Sequence, residues 1–332
     1  MKKITLAHGN GGKLMHGLIK DLFVKNLSNP FLNKMGDAAL IDVKNKKLTY
    51  TTDSFVIKPI FFPGGDIGKL SVCGTVNDLC VSGARPRYLS CGMIVEDGFD
   101  YKDLEEITLS IKAACEKSGV DVVAGDFKVV EKGAVDKIFI NTSGIGEVFS
   151  NAALGMDRVK PGDKVMINGN IGDHALAVLV AREELKFKSK IVSDCAPLNG
   201  LISSVICGDI KFMRDPTRGG LATTLNEISL ECGCGISVNE SDIPVSGSVK
   251  VLSEALGMDP LYLANEGKVL MIASARSASK ILSRMKKHPL GKKSAIIGEV
   301  RDRKDKRVYL RTMIGTTRVL DMLQSDQLPR IC

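Results

Sequence analysis

Four aspartates of the N-terminal half stand beside Gly, Thr or Asn: Asp37 in GDAAL, Asp53 in TTDS, Asp78 in TVNDL and Asp126 in AGDFK. Carboxylates are the hard oxygen donors that Mg2+ prefers. On a nucleotide, Mg2+ takes a few of them and fills its shell with phosphate oxygens and water. Small flanking residues would let the backbone approach those phosphates. Asp beside Gly is also ordinary turn chemistry, so each motif alone has two readings, and only their recurrence keeps the metal reading open.

Two glycine-rich segments offer anion-binding backbone. AHGNGGKLM, with Gly9, Asn10, Gly11 and Gly12, precedes a possible helix but lacks the spacing of a Walker A loop. DPTRGGLATTLNEISLE leads through Thr217, Arg218, Gly219 and Gly220 into an apolar-periodic run. A phosphate there would meet a helix N-terminus and a guanidinium together; a capped helix start explains the same residues. Lys128 follows Asp126 by two, so on a strand both share a face. A surface ion pair and an active-site electrophile fit that spacing equally. Glu266 in NEGKVL precedes a Gly and an apolar strand, where a solvated carboxylate and a base are both possible.

The rest of the composition excludes more than it assigns. Basic residues give a net charge of +8 over 332 residues, but they are scattered and never interleaved with aromatics, against nucleic-acid binding. The four histidines form no metal-ligand cluster, and Cys232-Gly-Cys234 has no second pair to complete a zinc site. Nine cysteines, an odd number, fit a reducing compartment without disulfides. With no apolar stretch long enough for a signal peptide or a membrane span, a cytoplasmic protein is expected.

These residues must be positioned by two halves of about 150 residues each. In the first, ALIDV and KLTYTTDSFVI read as paired strands, 66–82 as a helix, YLSCGMIVE as a strand, and 101–119 as a helix capped by Asp100 and ended by Gly119. Strand-like runs follow at 120–126 and 136–148. Beyond the turn at Pro161-Gly162, helical patterns fall at 173–185, 197–207, 219–232 and 247–256, with strands at 267–274 and 293–300. Both halves close on IGEV, at 145–148 and 297–300. The segments mix without strict βαβ alternation, which predicts α+β halves: 1–150, 151–315, and a tail, 316–332, in which TTRVLDML reads as a short helix. From Asp321 the chain has an extended reach of roughly 40 Å at ~3.3 Å per residue, ending in PRIC at Cys332.

Taken together, HGNGGKLM, GDAALID, TTDSFVIKPIFFPGGDIGKL, TVNDLCVSGARP, AGDFKVVEKG, DPTRGGL, NEGKV and PRIC resemble, end to end, the ATP-binding superfamily of aminoimidazole ribonucleotide synthetase, selenophosphate synthetase and thiamine-monophosphate kinase. The terminal PRIC narrows the resemblance to the carbamoyl dehydratases of hydrogenase maturation. That family implies an N-terminal half closing a β-barrel across a homodimer, a C-terminal α/β half beside it, and ATP between them. It further implies that Cys332 receives a carbamoyl group from the carbamoyltransferase maturation factor HypF. ATP-dependent dehydration then yields a thiocyanate, the source of the cyanide ligand of [NiFe] hydrogenase iron, passed to the iron-carrying HypC–HypD complex.

The resemblance assigns Mg2+ to Asp37, Asp53, Asp78 and Asp126. It gives ATP to Gly9, Asn10, Gly11, Gly12, Thr52, Asn77, Gly125, Thr217, Arg218, Gly219 and Gly220, and catalysis to Cys332, Glu266 as base and Lys128 as charge stabiliser. One position departs from the family: Phe127 stands where a small hydroxyl residue, generally Thr, is usual. Phe cannot bond a phosphate, so either nucleotide contacts differ here or the position belongs to the core. Another ATP-using member of the superfamily, or a non-catalytic thiol carrier, are the rival readings. The first lacks a use for a terminal Cys and the second for the acidic motifs.

Overall fold

The computed structural model describes residues 3–5, 8, 17–30, 33, 47–182, 189–302 and 305–323. Gly9, Asn10, Gly11, Gly12, Asp37, the ALIDV segment and Cys332 lie outside them.

In the first half, β1 (Leu48–Phe55), α1 (Ile67–Val81), β2 (Ala84–Glu96), α2 (Tyr101–Ser118), β3 (Asp121–Val130) and β4 (Ile138–Val148) follow in order. The four strands form a sheet in the order β1-β4-β2-β3, antiparallel except for the β2–β3 pair. The helix expected at 101–119 is present with its local signals working as read. Asp100 accepts a hydrogen bond from the Lys102 N–H at 3.0 Å, and Gly119 closes the helix at φ 66°. Its buried stripe of Leu104, Ile107, Ile111 and Ala114 faces the core.

Helix α1 is apolar on almost every side, and the fold uses each of them. One face lies on β1, β4 and β2, another meets α2, and its remaining surface touches α4 (Asn199–Val205) and β6 (Ile210–Arg214) of the second half. A helix buried all round belongs between layers rather than on a surface. Consequently the main core runs from Leu70, Val72 and Val76 without a break into Leu198, Leu201, Met213 and Met271. The halves share one interior.

The second half comprises β5 (Lys164–Ile167), α3 (Asp173–Ala181), α4, β6, α5 (Gly220–Cys232), β7 (Gly235–Asn239), α6 (Gly247–Leu256), β8 (Leu270–Ala273), α7 (Ala275–Lys287), β9 (Ala295–Arg301), β10 (Val308–Arg311) and β11 (Thr317–Leu320). Its seven-stranded sheet runs β11-β10-β7-β9-β5-β8-β6, antiparallel except for β10 with β7. The α+β expectation agrees with both sheets. The helix expected in TTRVLDML is a correction: Thr317–Leu320 is a strand, paired antiparallel with β10 from Arg311↔Thr317 to Val308↔Leu320. Pairing with an open sheet edge and burial of Leu320 outweigh the weak helical spacing.

Within a single chain the first sheet is open, with β1 and β3 at its edges among the described residues. One face packs on α1 and α2. The other carries Leu48, Tyr50 and Ile94 at 40, 70 and 42 % exposure. The described residues of one chain close no barrel; the one expected spans two copies of the chain.

Candidate active site

A cleft of about 340 Å³ opens where the halves meet. Asp53 comes from the end of β1 and Asp78 from the last turn of α1; Arg214, Asp215, Thr217 and Arg218 come from the β6–α5 connection, and Glu266 from the segment before β8. Ser54, Phe55, Gly74, Thr224 and Glu227 complete its floor and walls. The double glycine of TRGGL has a backbone reason. Gly219 and Gly220 have φ of 70° and 59°, and a Cβ on Gly220 would lie 2.6 Å from the Leu263 carbonyl oxygen. No side chain caps α5, so its positive end, flanked by Arg218, borders the cleft as an anion seat.

Five carboxyl groups line this one space, Asp53, Asp78, Asp215, Glu227 and Glu266, and they repel each other. Burial, and then the neighbouring Asp78 charge, push Asp215 up to about 7. Burial raises Asp78 as well, against the 2.9 Å hydrogen bond donated by Thr51 Oγ1. Asp53 is raised by burial, with the Ser54 N–H and Arg218 opposing. Glu266 is only 3 % exposed, and burial first, then the charges of Asp215, Asp194 and Asp53, hold it well above the usual carboxylate range. Such a cluster favours a cation. Among the described residues no three candidate ligands converge on one point. Asp53 and Asp78 therefore fit Mg2+ as partial ligands, leaving the remaining positions to phosphate oxygens and water.

Of the expected site residues, Asp53, Asp78, Thr217, Arg218 and Glu266 come together in the cleft, and Gly219 and Gly220 form its helix entrance. Thr52 does not. Strand alternation turns it to the opposite face, where it meets Ser143 Oγ at 2.8 Å, and its neighbour Thr51 takes the inward place. Gly125, Asp126 and Lys128 sit on β3, three strands from β1 and so about 14 Å across the sheet. There Asp126 and Lys128 form an ion pair of 2.8 Å on the uncovered face, with both side chains more than half exposed. Phe127 points the other way: it is 3 % exposed and its ring lies 5.4 Å from that of Phe23. The departure from the usual Thr is one of core packing.

Asn77 is 1 % exposed, and its amide is engaged with the main chain of the second half. It is not directed at the cleft. Asp215 was missed by sequence reasoning although it opens the DPTRGG motif, because an Asp before Pro reads first as a turn residue.

Residues 35–148 match the family described as AIR synthase related protein, N-terminal domain, and residues 160–311 its C-terminal domain counterpart. Carbamoyl dehydratase HypE of Escherichia coli (strain K12) is 44 % identical over 339 aligned positions, covering 100 % of both chains. Carbamoyl dehydratase HypE of Azotobacter vinelandii is 44 % identical across 99 % of this chain and 97 % of its own. The chain belongs to the carbamoyl dehydratase HypE family. A solved HypE in complex with ATP matches with a TM-score of 0.95 at 46 % identity over 99 % of each chain. A chain of a HypE–HypF complex matches with a TM-score of 0.81 at 50 % identity, over 92 % of this chain and 99 % of that one. Thiamine monophosphate kinase of Aquifex aeolicus, at 18 % identity and a TM-score of 0.63 over 94 % of this chain and 99 % of its own, shares the HypE fold alone.

Proposed function

We propose that the cleft is where this chain dehydrates its own carbamoylated C-terminal cysteine. The activity is that of the family: the chain is an ATP-dependent carbamoyl dehydratase that supplies the cyanide ligand of [NiFe] hydrogenase. The observation carrying the site assignment is the convergence of buried Glu266 with Asp53 and Asp78 beside the uncapped, Arg218-flanked start of α5.

The chemistry needs a leaving group and a base. Carboxamide oxygen is a poor leaving group until it is phosphorylated. Transfer from ATP to the oxygen of the Cys332 S-carboxamide then depends on in-line positioning and charge neutralisation. Mg2+ held by Asp53 and Asp78 would supply that neutralisation. Arg218 and the start of α5 orient the anionic chain of phosphates. Phosphoryl transfer draws the nitrogen lone pair into a C=N bond and Glu266 accepts one nitrogen proton; the second is carried off by the departing phosphate as the C–O bond breaks, leaving S–C≡N on Cys332. Offsetting the negative charge at Asp53 also eases ionisation of Glu266, which that charge opposes.

We infer a homodimer built on the uncovered sheet face, since Leu48, Tyr50 and Ile94 on it are exposed and both sheet edges are open. A seam that sets β1 against β3 of a second copy carries that copy's Asp126 and Lys128 toward Asp53, where Lys128 stabilises charge on the transferring group. The carbamoyl donor protein would be HypF and the acceptor of cyanide the iron-bearing HypC–HypD complex. The eight described cysteines are all free, in keeping with a cytoplasmic setting. Among the described residues no helix is long and apolar enough to cross a membrane.

Mass spectrometry of the C-terminal peptide tests the assignment. Incubation with carbamoyl donor, transferase and Mg·ATP should give carbamoylation of Cys332 followed by ATP-dependent loss of one water. Absence of modification, or carbamoylation that never dehydrates, would refute it.

A further inference from the structure

Glu266 sits in a segment without regular structure, and yet its main chain is held from two sides by buried polar side chains. From the first half, the Asn77 amide of α1 donates to the Glu266 carbonyl at 3.1 Å and to the Ala196 carbonyl at 3.2 Å. Its oxygen accepts the Leu198 N–H at 2.8 Å. From the second half, Asp194 accepts the N–H of Glu266 on one oxygen and that of Gly267 on the other, each at 3.2 Å. The Lys268 ammonium closes on Asp194 at 2.7 Å, the two side chains being 10 % and 6 % exposed. Burial works against the Asp194 charge, but Lys268 and His174 more than offset it and hold the carboxyl below its ordinary range. The approach is so close that a Cβ on Gly267 would lie 1.9 Å from the Asp194 carbonyl oxygen.

We propose that Asn77 and the buried Asp194–Lys268 pair are positioning residues that clamp the Glu266 main chain from opposite sides, with Asn77 tying it to α1 across the junction of the halves. This rests on Glu266 being the base. The geometry explains why an Asn is placed one residue before Asp78: α1 delivers a cleft carboxylate and, from the adjacent position, fixes the distance between that carboxylate and Glu266. It also replaces the nucleotide role expected for Asn77, because the donors and the acceptor of its amide are directed at the main chain.

The test uses the full-length protein, with single-turnover dehydration of carbamoylated Cys332 followed against ATP concentration. Asn77→Ala should lower the maximal rate about 100-fold, the scale of a 1 Å misplacement, and leave the half-saturating ATP concentration within about twofold. Asp194→Asn should do the same. Asn77→Asp keeps size and the acceptor for Leu198, so it repeats the measurement if the alanine variant fails to fold. Adding Asn77→Asp to Glu266→Gln should cause no further loss, since groups acting through one residue are not additive. A general folding defect would instead multiply the losses. A tenfold rise in half-saturating ATP with the rate preserved would overturn the clamp and restore Asn77 as a nucleotide ligand. Wild-type rates in folded Asn77 and Asp194 variants would overturn it too. Full activity in Glu266→Gln alone would instead remove the general-base reading beneath it, an outcome distinguishable from failure of the clamp.

Discussion

Asp215 allows the cost of the cleft's charge to be worked out. Its carboxyl has an ordinary pKa of 3.8 and is pushed up to about 7 by burial and by Asp78. An acid with a higher pKa when folded binds its proton more tightly in the native state. Its contribution is therefore fully favourable below pH 3.8 and is lost as the pH climbs through about 7. At 1.36 kcal/mol per pH unit, ionising Asp215 in the folded protein costs about 4 kcal/mol. Water entry and movement of Arg214 screen part of it, so Asp215→Asn should stabilise the protein at pH 8 by about 2 to 4 kcal/mol. The gain should fall to about 1.6 kcal/mol at pH 5 and vanish only below pH 3.8, where folded and unfolded chains both carry the proton. Scanning calorimetry of both proteins without nucleotide or metal, at pH 5 and pH 8, reads this as a melting-temperature difference about twice as large at pH 8 as at pH 5. Equal differences at the two pH values, or a loss at pH 8, would refute the argument that the cleft stores unfavourable negative charge.

Three further outcomes follow from particular contacts. Mixing inactive Lys128→Ala and Glu266→Gln chains should restore about a quarter of wild-type dehydration if each site draws on both copies, since half the dimers are then mixed and each holds one intact site. No recovery would confine the site to one chain. Phe127→Thr should cost about 3 kcal/mol in urea denaturation, through loss of the buried ring against Phe23, with ATP dependence unchanged. A gain in ATP affinity would place the position at the nucleotide instead. Gly267→Ala should abolish dehydration or folding, because the clash it creates is with backbone rather than a movable side chain; a stable, active variant would contradict the close approach.

How legible these features were depended on the range of the signals. Helix α2 was read nearly to its ends, because its period and both caps lie within a single stretch of chain. The strands Ile210–Arg214, Gly235–Asn239 and Val308–Arg311 were not read, since four or five residues give too little alternation to stand out. Asp53, Asp78, Arg218 and Glu266 were recognisable as chemistry from their local motifs, but only the family resemblance, not spacing, grouped them as neighbours. The role of Asn77 was beyond any local reading: its partners lie 119 and 189 residues away in the chain, so only the packing of α1 between the halves reveals it.

That same packing bears on how the proposed substrate cysteine would be served. The last described residues run along α5: Asn226 donates to the Leu320 carbonyl at 2.8 Å, Tyr262 OH to the Asp321 carbonyl at 3.0 Å, and the Leu323 N–H to Thr223 Oγ1 at 3.3 Å. Thr223 is in the first turn of α5, next to Thr224 of the cleft wall. Leu323, the last described residue, therefore lies at the helix end that borders the proposed phosphate seat. Nine residues remain to Cys332, whose greatest span is about 30 Å. Strand β11, which replaced the expected helix, anchors this departure point. Pairing with β10 fixes residues 317–320, so that the segment ending at Leu323 is held beside the proposed site. If Cys332 is the substrate carrier, its delivery to the cleft would be set by chain length from Leu323, while the proposed clamp on Glu266 would fix the base that meets it.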